Sequence, residues 1–165
     1  MKFFLSILAL LIKKGKISDQ NYTLQKEEYI GIDDNPVPMR IYYSKKYTHK
    51  TAILFLGASP DAEKHKSINY LAKALTHFGY NVFIPRIPPL MNLDISNKNV
   101  DWVTHIYQTI QSREEINSEY ITAVGISYGG GMLLKASLDA KMKSSPPKSI
   151  FLYGSGCDID TILRF

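Results

Sequence analysis

Gly125-Ile126-Ser127-Tyr128-Gly129-Gly130 is the stretch of this chain whose residue types and spacing suit covalent chemistry. It is a G-x-S-x-G pattern between a β-rich run, residues 120–126, and an apolar helical stretch. That context suits a serine thrown forward on a sharp strand-to-helix turn. Such a turn holds the serine at strained backbone angles and presses the residues two positions away against neighbouring chain. Only small residues fit there, and Gly125 and Gly129 meet the requirement. The helix behind the serine would aim its positive end at the turn, where an oxyanion would form. A glycine-rich turn with a solvated serine is the plainer alternative.

The elements that must position this turn follow from apolar spacing. Residues 22–32 and 37–43 read as two strands around the turn Asp33-Asp34-Asn35-Pro36. Residues 51–56 (TAILFL) form a continuous apolar run ended by Gly57, the pattern of a strand buried on both faces of a parallel sheet. Ile68, Leu71, Ala72, Leu75 and Phe78 make one helical stripe that stops at Gly79. Residues 80–84 are the next strand, closed by Pro85, and a proline-rich loop (RIPPLMNLDIS) leads to a helix marked by Val100, Val103, Ile106, Tyr107 and Ile110. Residues 120–126 are a strand, 132–142 a helix and 149–154 a last strand. Strands alternating with helices predict an α/β fold, a mostly parallel sheet with helices on both faces, entered through an N-terminal β-hairpin.

With these elements in place, the chain resembles the α/β-hydrolase superfamily over about residues 51–154. The residues that carry the resemblance are GISYGG, the preceding strand YITAV, and the strand and glycine-containing loop LFLGASPDA. The resemblance implies a serine hydrolase of the esterase or lipase kind, with Ser127 as nucleophile. Its oxyanion hole would be built from the backbone N–H groups of Tyr128 and Ala58. A histidine often precedes the loop glycine in that family, and Leu56 stands there instead. By strand count the Arg86-Ile87-Pro88-Pro89-Leu90 loop lies at the same sheet edge. Arg86, Pro88 and Leu90 are therefore candidates for the mouth of an acyl pocket, or belong to an ordinary proline-stiffened connector.

A serine hydroxyl needs a base, and the base an orienting group. The family order is serine, then acid, then histidine. All four histidines, His49, His65, His77 and His105, precede Ser127, and none is assigned as the base. Asp158, just past the last strand, stands where a minority of the family carries the triad acid, though loop solvation or turn chemistry is the better explanation of an aspartate there. The expectation is a hydrolase-like domain, residues 22–165, whose acid and histidine lie outside this sequence. As it stands, the chain would be nearly inactive towards its small acyl substrate. A catalytically silent, α/β-hydrolase-like ligand-binding module tethered at a membrane is the second reading. A dinucleotide site is disfavoured, because Gly154-Ser155-Gly156 lacks the third glycine and the helix start. No metal or cofactor is implied.

Composition bounds the rest. With 165 residues, 45% hydrophobic and 21% charged, the chain is long enough for one globular domain. Its single cysteine, Cys157, excludes an internal disulfide framework and points to an intracellular protein. Four of the twenty basic residues, Lys2, Lys13, Lys14 and Lys16, precede the first acid. The remaining sixteen face fifteen acids without a basic stripe, which argues against nucleic acid as partner. Residues 3–12 (FFLSILALLI) form an apolar run too short to span a bilayer alone. Within an N-terminal segment of residues 1–21, this run reads either as a membrane anchor or as a helix docked on the domain itself. The lysines after it would place the folded part on the cytoplasmic side.

Overall fold

The computed structural model describes residues 21–46 and 48–156. The N-terminal apolar run and the triad-acid candidate Asp158 lie outside the described residues. Six strands form one sheet: β1 (Tyr22–Ile30), β2 (Pro36–Ser44), β3 (Thr51–Phe55), β4 (Asn81–Pro85), β5 (Ile121–Ile126) and β6 (Ser149–Tyr153). Their order across the sheet is β1-β2-β4-β3-β5-β6. The hairpin β1/β2 is antiparallel and joins β4 antiparallel, whereas β4, β3, β5 and β6 run parallel. The helices are α1 (Lys66–His77), α2 (Pro88–Met91), α3 (Asn99–Gln111), α4 (Tyr128–Ala136) and α5 (Ala140–Ser144). The chain is thus α/β with a mostly parallel sheet and an N-terminal hairpin. Among the described residues, no helix is long and apolar enough to cross a membrane.

The two-residue period of β3 explains how both faces are filled. Ile53 and Phe55 enter a cluster with Phe83, Trp102, Val103, Ile106, Tyr107, Ile110, Met132 and Leu133, so α3 and α4 cover that face. Ala52, Leu54 and Leu56 point the other way and pack with Val82, Ile84, Val124, Ala72 and Leu75 under α1. Burial on both sides is the reason β3 carries no polar residue between Ala52 and Leu56.

Three local expectations differ from the structure. The first strand ends at Ile30, because Gly31 and Asp34 (φ 60°) turn the chain and Gly31 N–H donates to the Asn35 carbonyl at 2.8 Å. The proline-rich loop contains the one-turn helix α2, with its two prolines at the start, where a missing N–H costs no helical bond. The helix expected over residues 132–142 is two helices. Asp139 caps the second one by accepting from Lys141 N–H at 2.8 Å, with Leu138 exposed at the break.

Candidate functional site

At the end of β5 the chain reverses into α4 through Ser127, whose φ of 54° and ψ of −132° lie outside the regions open to most side chains. Two backbone bonds hold it there. Its N–H donates to the Tyr153 carbonyl at the end of β6 (2.9 Å), and its carbonyl accepts from Gly130 N–H (3.0 Å). The side chain is exposed at the C-terminal ends of the parallel strands, the edge at which open α/β sheets bind their ligands.

The glycines around the turn are fixed by close approach. A Cβ on Gly129 would fall on the Leu56 carbonyl oxygen and 2.5 Å from that of Phe55. One on Gly125 would overlap the Cα of Gly130 and come within 3.1 Å of its nitrogen. Two further glycines, Gly130 and Gly57, belong to the same packing, and the sequence did not show that either presses on the turn. Gly130 lies against Ser155, whose hydroxyl would meet any Cβ added there. Gly57, in the loop after β3, stands beside the nucleophile candidate. Its missing Cβ would sit 3.0 Å from Ser127 Cβ and 3.3 Å from Ser127 Oγ. Ala58 is the next residue in that loop, so the chain carrying its N–H runs alongside the serine. A small residue closing the first parallel strand was the only available hint of Gly57.

Tyr128 supplies the N–H after the serine at the first position of α4, and its side chain acts elsewhere. The phenol donates to the Ile95 carbonyl (2.5 Å) and the Ser96 carbonyl (3.1 Å), fastening the tail of the proline-rich loop to the turn. Burial pushes this phenol above its ordinary pKa, so it remains a donor at neutral pH. Lys135 Nζ adds a contact to Asn97 Oδ1 at 3.0 Å.

A small cleft beside Gly57 is lined by Leu56, Gly57, Ser59, Ala62, Pro85, Ile87 and Leu90. Of the three pocket candidates, Leu90 lines this cleft and Pro88 does not. Arg86 engages Glu63 in a two-pronged ion pair, with Nε to Oε2 at 2.9 Å and an Nη to Oε1 at 2.7 Å. The Glu63 side chain is 2% exposed and that of Arg86 19%. Burial alone would push the Glu63 carboxyl up. The hydrogen bonds and charge of Arg86, with Glu63's own backbone N–H, more than offset this and hold it below the usual carboxylate range. Glu63 sits in a 3-10 turn, Ala62–Lys64, just after the Gly57–Ala58 loop, entered through Ala62 at φ 41°. Asn69 closes the same segment by donating to the Glu63 carbonyl (2.9 Å) and the His65 carbonyl (2.8 Å). Arg86 therefore pins the loop that follows β3, a role its position in the sequence did not reveal.

The structure brings no histidine to Ser127 by hydrogen bond. His105 Nε2 contacts the Ile30 carbonyl at 2.7 Å. That carbonyl ends β1, four strands from β5 in the sheet, or about 19 Å at the usual strand spacing. His49 and His77 lie at the opposite, strand-starting end. His65 precedes α1, on the Ser127 side, with its Nδ1 buried and unpartnered. Among the described residues, no three His, Cys, Asp or Glu side chains cluster to hold a metal.

No protein-family model matches this sequence, and no curated protein matches it. Its fold is nevertheless well represented among solved structures. The structure of the Francisella virulence factor BioJ matches with a TM-score of 0.60 at 18% identity, covering 96% of this chain and 51% of that one. A dienelactone hydrolase-like promiscuous phosphotriesterase, P91, from metagenomic libraries matches at 0.63 with 12% identity, covering 82% and 60%. A sugar hydrolase, YeeB, from Lactococcus lactis matches at 0.61 with 20% identity, covering 79% and 53%. The chain spans between half and three-fifths of the length of these structures. The strand order, the crossover helices and these neighbours together establish that the chain has the α/β-hydrolase fold.

Proposed function

We propose that this chain is the nucleophile-bearing part of a serine hydrolase that acts on a carboxylic ester or a related acyl compound. Ser127 Oγ attacks the carbonyl carbon and its proton passes to a base. The carbonyl oxygen becomes an oxyanion facing the backbone N–H groups of Tyr128 and Ala58. Collapse of that intermediate expels the alcohol, which takes the proton back from the base and leaves acyl-Ser127. Water attacks the acyl group by the same route and frees the serine. The small cleft beside Gly57, with Leu90 in its wall, has room for about one water-sized group and would take at most the end of a short acyl chain. The observation that carries this reading is Ser127 itself, exposed on a strained strand-to-helix turn with its hydroxyl beside the Gly57–Ala58 loop.

The base is the part this sequence does not identify. No histidine follows Ser127, and the structure engages none of the four with the serine. The chain would therefore show almost no esterase turnover, since loss of a triad member leaves only the residual contribution of the oxyanion hole and binding. A longer chain supplying an acid and a histidine after β6 should hydrolyse short p-nitrophenyl esters and take a fluorophosphonate label on Ser127, with Ser127→Ala silent. Robust Ser127-dependent activity in the 165-residue chain would place the base within these residues, with His65 the first to replace. Silence of the longer chain towards the probe would favour the second reading, a binding module that uses the same cleft without chemistry.

A further inference from the structure

Glu63 is held at both its side chain and its main chain, and both holds trace back to the N-terminal hairpin. Its carboxylate takes the two-pronged grip of Arg86. Arg86 is itself fixed through its backbone. Its N–H donates to the Pro38 carbonyl of β2 (3.1 Å), and its carbonyl accepts from the Tyr29 hydroxyl of β1 (2.5 Å). The Glu63 carbonyl accepts from Asn69 Nδ2 in α1. Asn69 Oδ1 in turn accepts from two β2 side chains, the Tyr42 hydroxyl (2.5 Å) and Arg40 Nη1 (3.0 Å). Two arms, one through the end of β4 and one through α1, thus run from the hairpin to one residue.

What Glu63 holds in turn is the loop beside Ser127. Ala62, just before it, is buried at φ 41°, a conformation that a residue with a side chain keeps only where its surroundings impose it. Ala62 N–H donates to the Ser59 carbonyl (3.1 Å), so the constraint passes back along a short loop to Gly57, which lies against Ser127. The ion pair also ties together the two segments, 56–62 and 85–90, that line the small cleft. β4 separates the hairpin from β3 in the sheet, so these side chains are what link the hairpin to the loop after β3.

We infer that Glu63 is a positioning residue for the oxyanion loop: through Arg86 and Asn69, the β1–β2 hairpin sets where the Gly57–Ala58 backbone lies relative to Ser127. The inference rests on the serine-hydrolase reading above for what the loop does, since the donor being placed is the Ala58 N–H. Such a donor is effective only when it is fixed before charge develops on the substrate, and a misplacement of about 1 Å can cost about a hundredfold in rate.

The test is the backbone amide spectrum of the isotope-labelled 165-residue chain, which reads the loop without any turnover. In Glu63→Gln the amide signals of Gly57 and Ala58 should shift or split, while those of Ile53 and Leu54 inside the β3 ladder stay in place. Tyr29→Phe and Tyr42→Phe each remove one hydroxyl and keep the ring. Both should move the Ala58 signal by a smaller amount, and they carry the test if Glu63→Gln fails to fold. Glu27→Gln breaks an ion pair of the same hairpin, with Arg113, and should leave Ala58 unmoved. A pH series adds a second readout. Burial would raise the Glu63 carboxyl, but Arg86 more than offsets this, so the parent's Ala58 signal should hold steady to below about pH 4.3 and step only as Glu63 takes up its proton. The charged and titratable groups around Glu63 are Arg86 after β4, Asp61, Lys64 and His65 of its own segment, Lys66 at the start of α1, Arg40 of β2 and Tyr29 of β1. A step owed to any of these would persist in Glu63→Gln. Such persistence, an Ala58 signal unmoved in all three variants, or equal shifts throughout β3 would each overturn the inference. Failure of the serine chemistry would show instead in the labelling of Ser127, a separate measurement.

Discussion

Replacing Gly129 by alanine inverts an ordinary helix rule, which makes it a sharp test of how the Ser127 turn is packed. Inside a helix, Gly→Ala normally stabilises by about 1 kcal/mol through reduced chain entropy. At Gly129 the new methyl would meet two backbone carbonyls, those of Leu56 and Phe55, the latter at 2.5 Å. The Phe55 carbonyl cannot rotate away, because Phe55 pairs with Gly125 in the β3–β5 ladder, and that of Leu56 follows it directly in the chain. Relief requires α4 to lift from the end of β3 by about 1 Å, a distortion at the upper end of the overpacking range, about 3 kcal/mol. The net expectation is a loss of about 2 kcal/mol, or a fall in Tm of about 4 to 8 °C for a chain of this size. Gly131→Ala is the control in the same helix, since its Cβ would meet only the Gly156 carbonyl, at 2.7 Å, in chain beyond the last strand. With one backbone carbonyl in the way instead of two, and none in the β3 ladder, that variant should lose less stability than Gly129→Ala. Urea unfolding of the three proteins with unchanged m-values would measure the differences. Equal midpoints for Gly129→Ala and the parent, or equal losses at positions 129 and 131, would refute the packing argument.

Three other outcomes follow from the same structure. Ser127→Gly should raise stability by about 1 kcal/mol while removing any labelling by a fluorophosphonate, because glycine tolerates a φ of 54° that serine adopts only under strain; a lower unfolding midpoint would count against strain at that residue. Glu63→Gln should cost about 3 kcal/mol, because it leaves the Arg86 guanidinium without its buried partner. Since the Glu63 carboxyl titrates below its unfolded value, its contribution is present above about pH 4.3 and is lost as pH falls through the folded value, so parent and variant should converge in acid, and a constant gap down to the lowest pH would contradict this. Ile150, Phe151, Leu152 and Tyr153 of β6 are 37–59% exposed on an open sheet edge, so the chain should self-associate with rising concentration and Leu152→Lys should reduce that, as light scattering would read.

The parts of this fold that were legible in the sequence are those set by a continuous apolar signal. The run 51–56 announced a strand buried on both faces, and Ile53 and Phe55 against Ala52, Leu54 and Leu56 is the arrangement that demands it. The break between α4 and α5 was hidden because Met132 through Met142 keeps helical spacing across it, and the Asp139 cap that ends the continuity is one residue among several polar ones. The α2 turn was hidden by Pro88 and Pro89, which stop a helix in its interior yet suit its first turn. Ser127, Gly125 and Gly129 were visible as a motif, whereas Gly130 depends on Ser155, and Arg86 on Glu63, 23 residues earlier. Pairings of that kind arise only when strands β3 and β4 align their C-terminal ends, and no local pattern encodes them.

The strain at Ser127 bears on whether the turn is there for chemistry. A connection between β5 and α4 needs no serine, and glycine would adopt φ 54° without cost. What holds the serine is a set of restraints from three separate parts of the chain: the Tyr153 carbonyl on its N–H, the Gly130 N–H on its carbonyl, and Gly57 against its side chain. Restraints converging on one residue from β6, α4 and the β3 loop are what let an unfavourable conformation persist. They also fix the direction of one hydroxyl relative to the loop carrying Ala58, the loop that the Glu63–Arg86 pair holds down behind it.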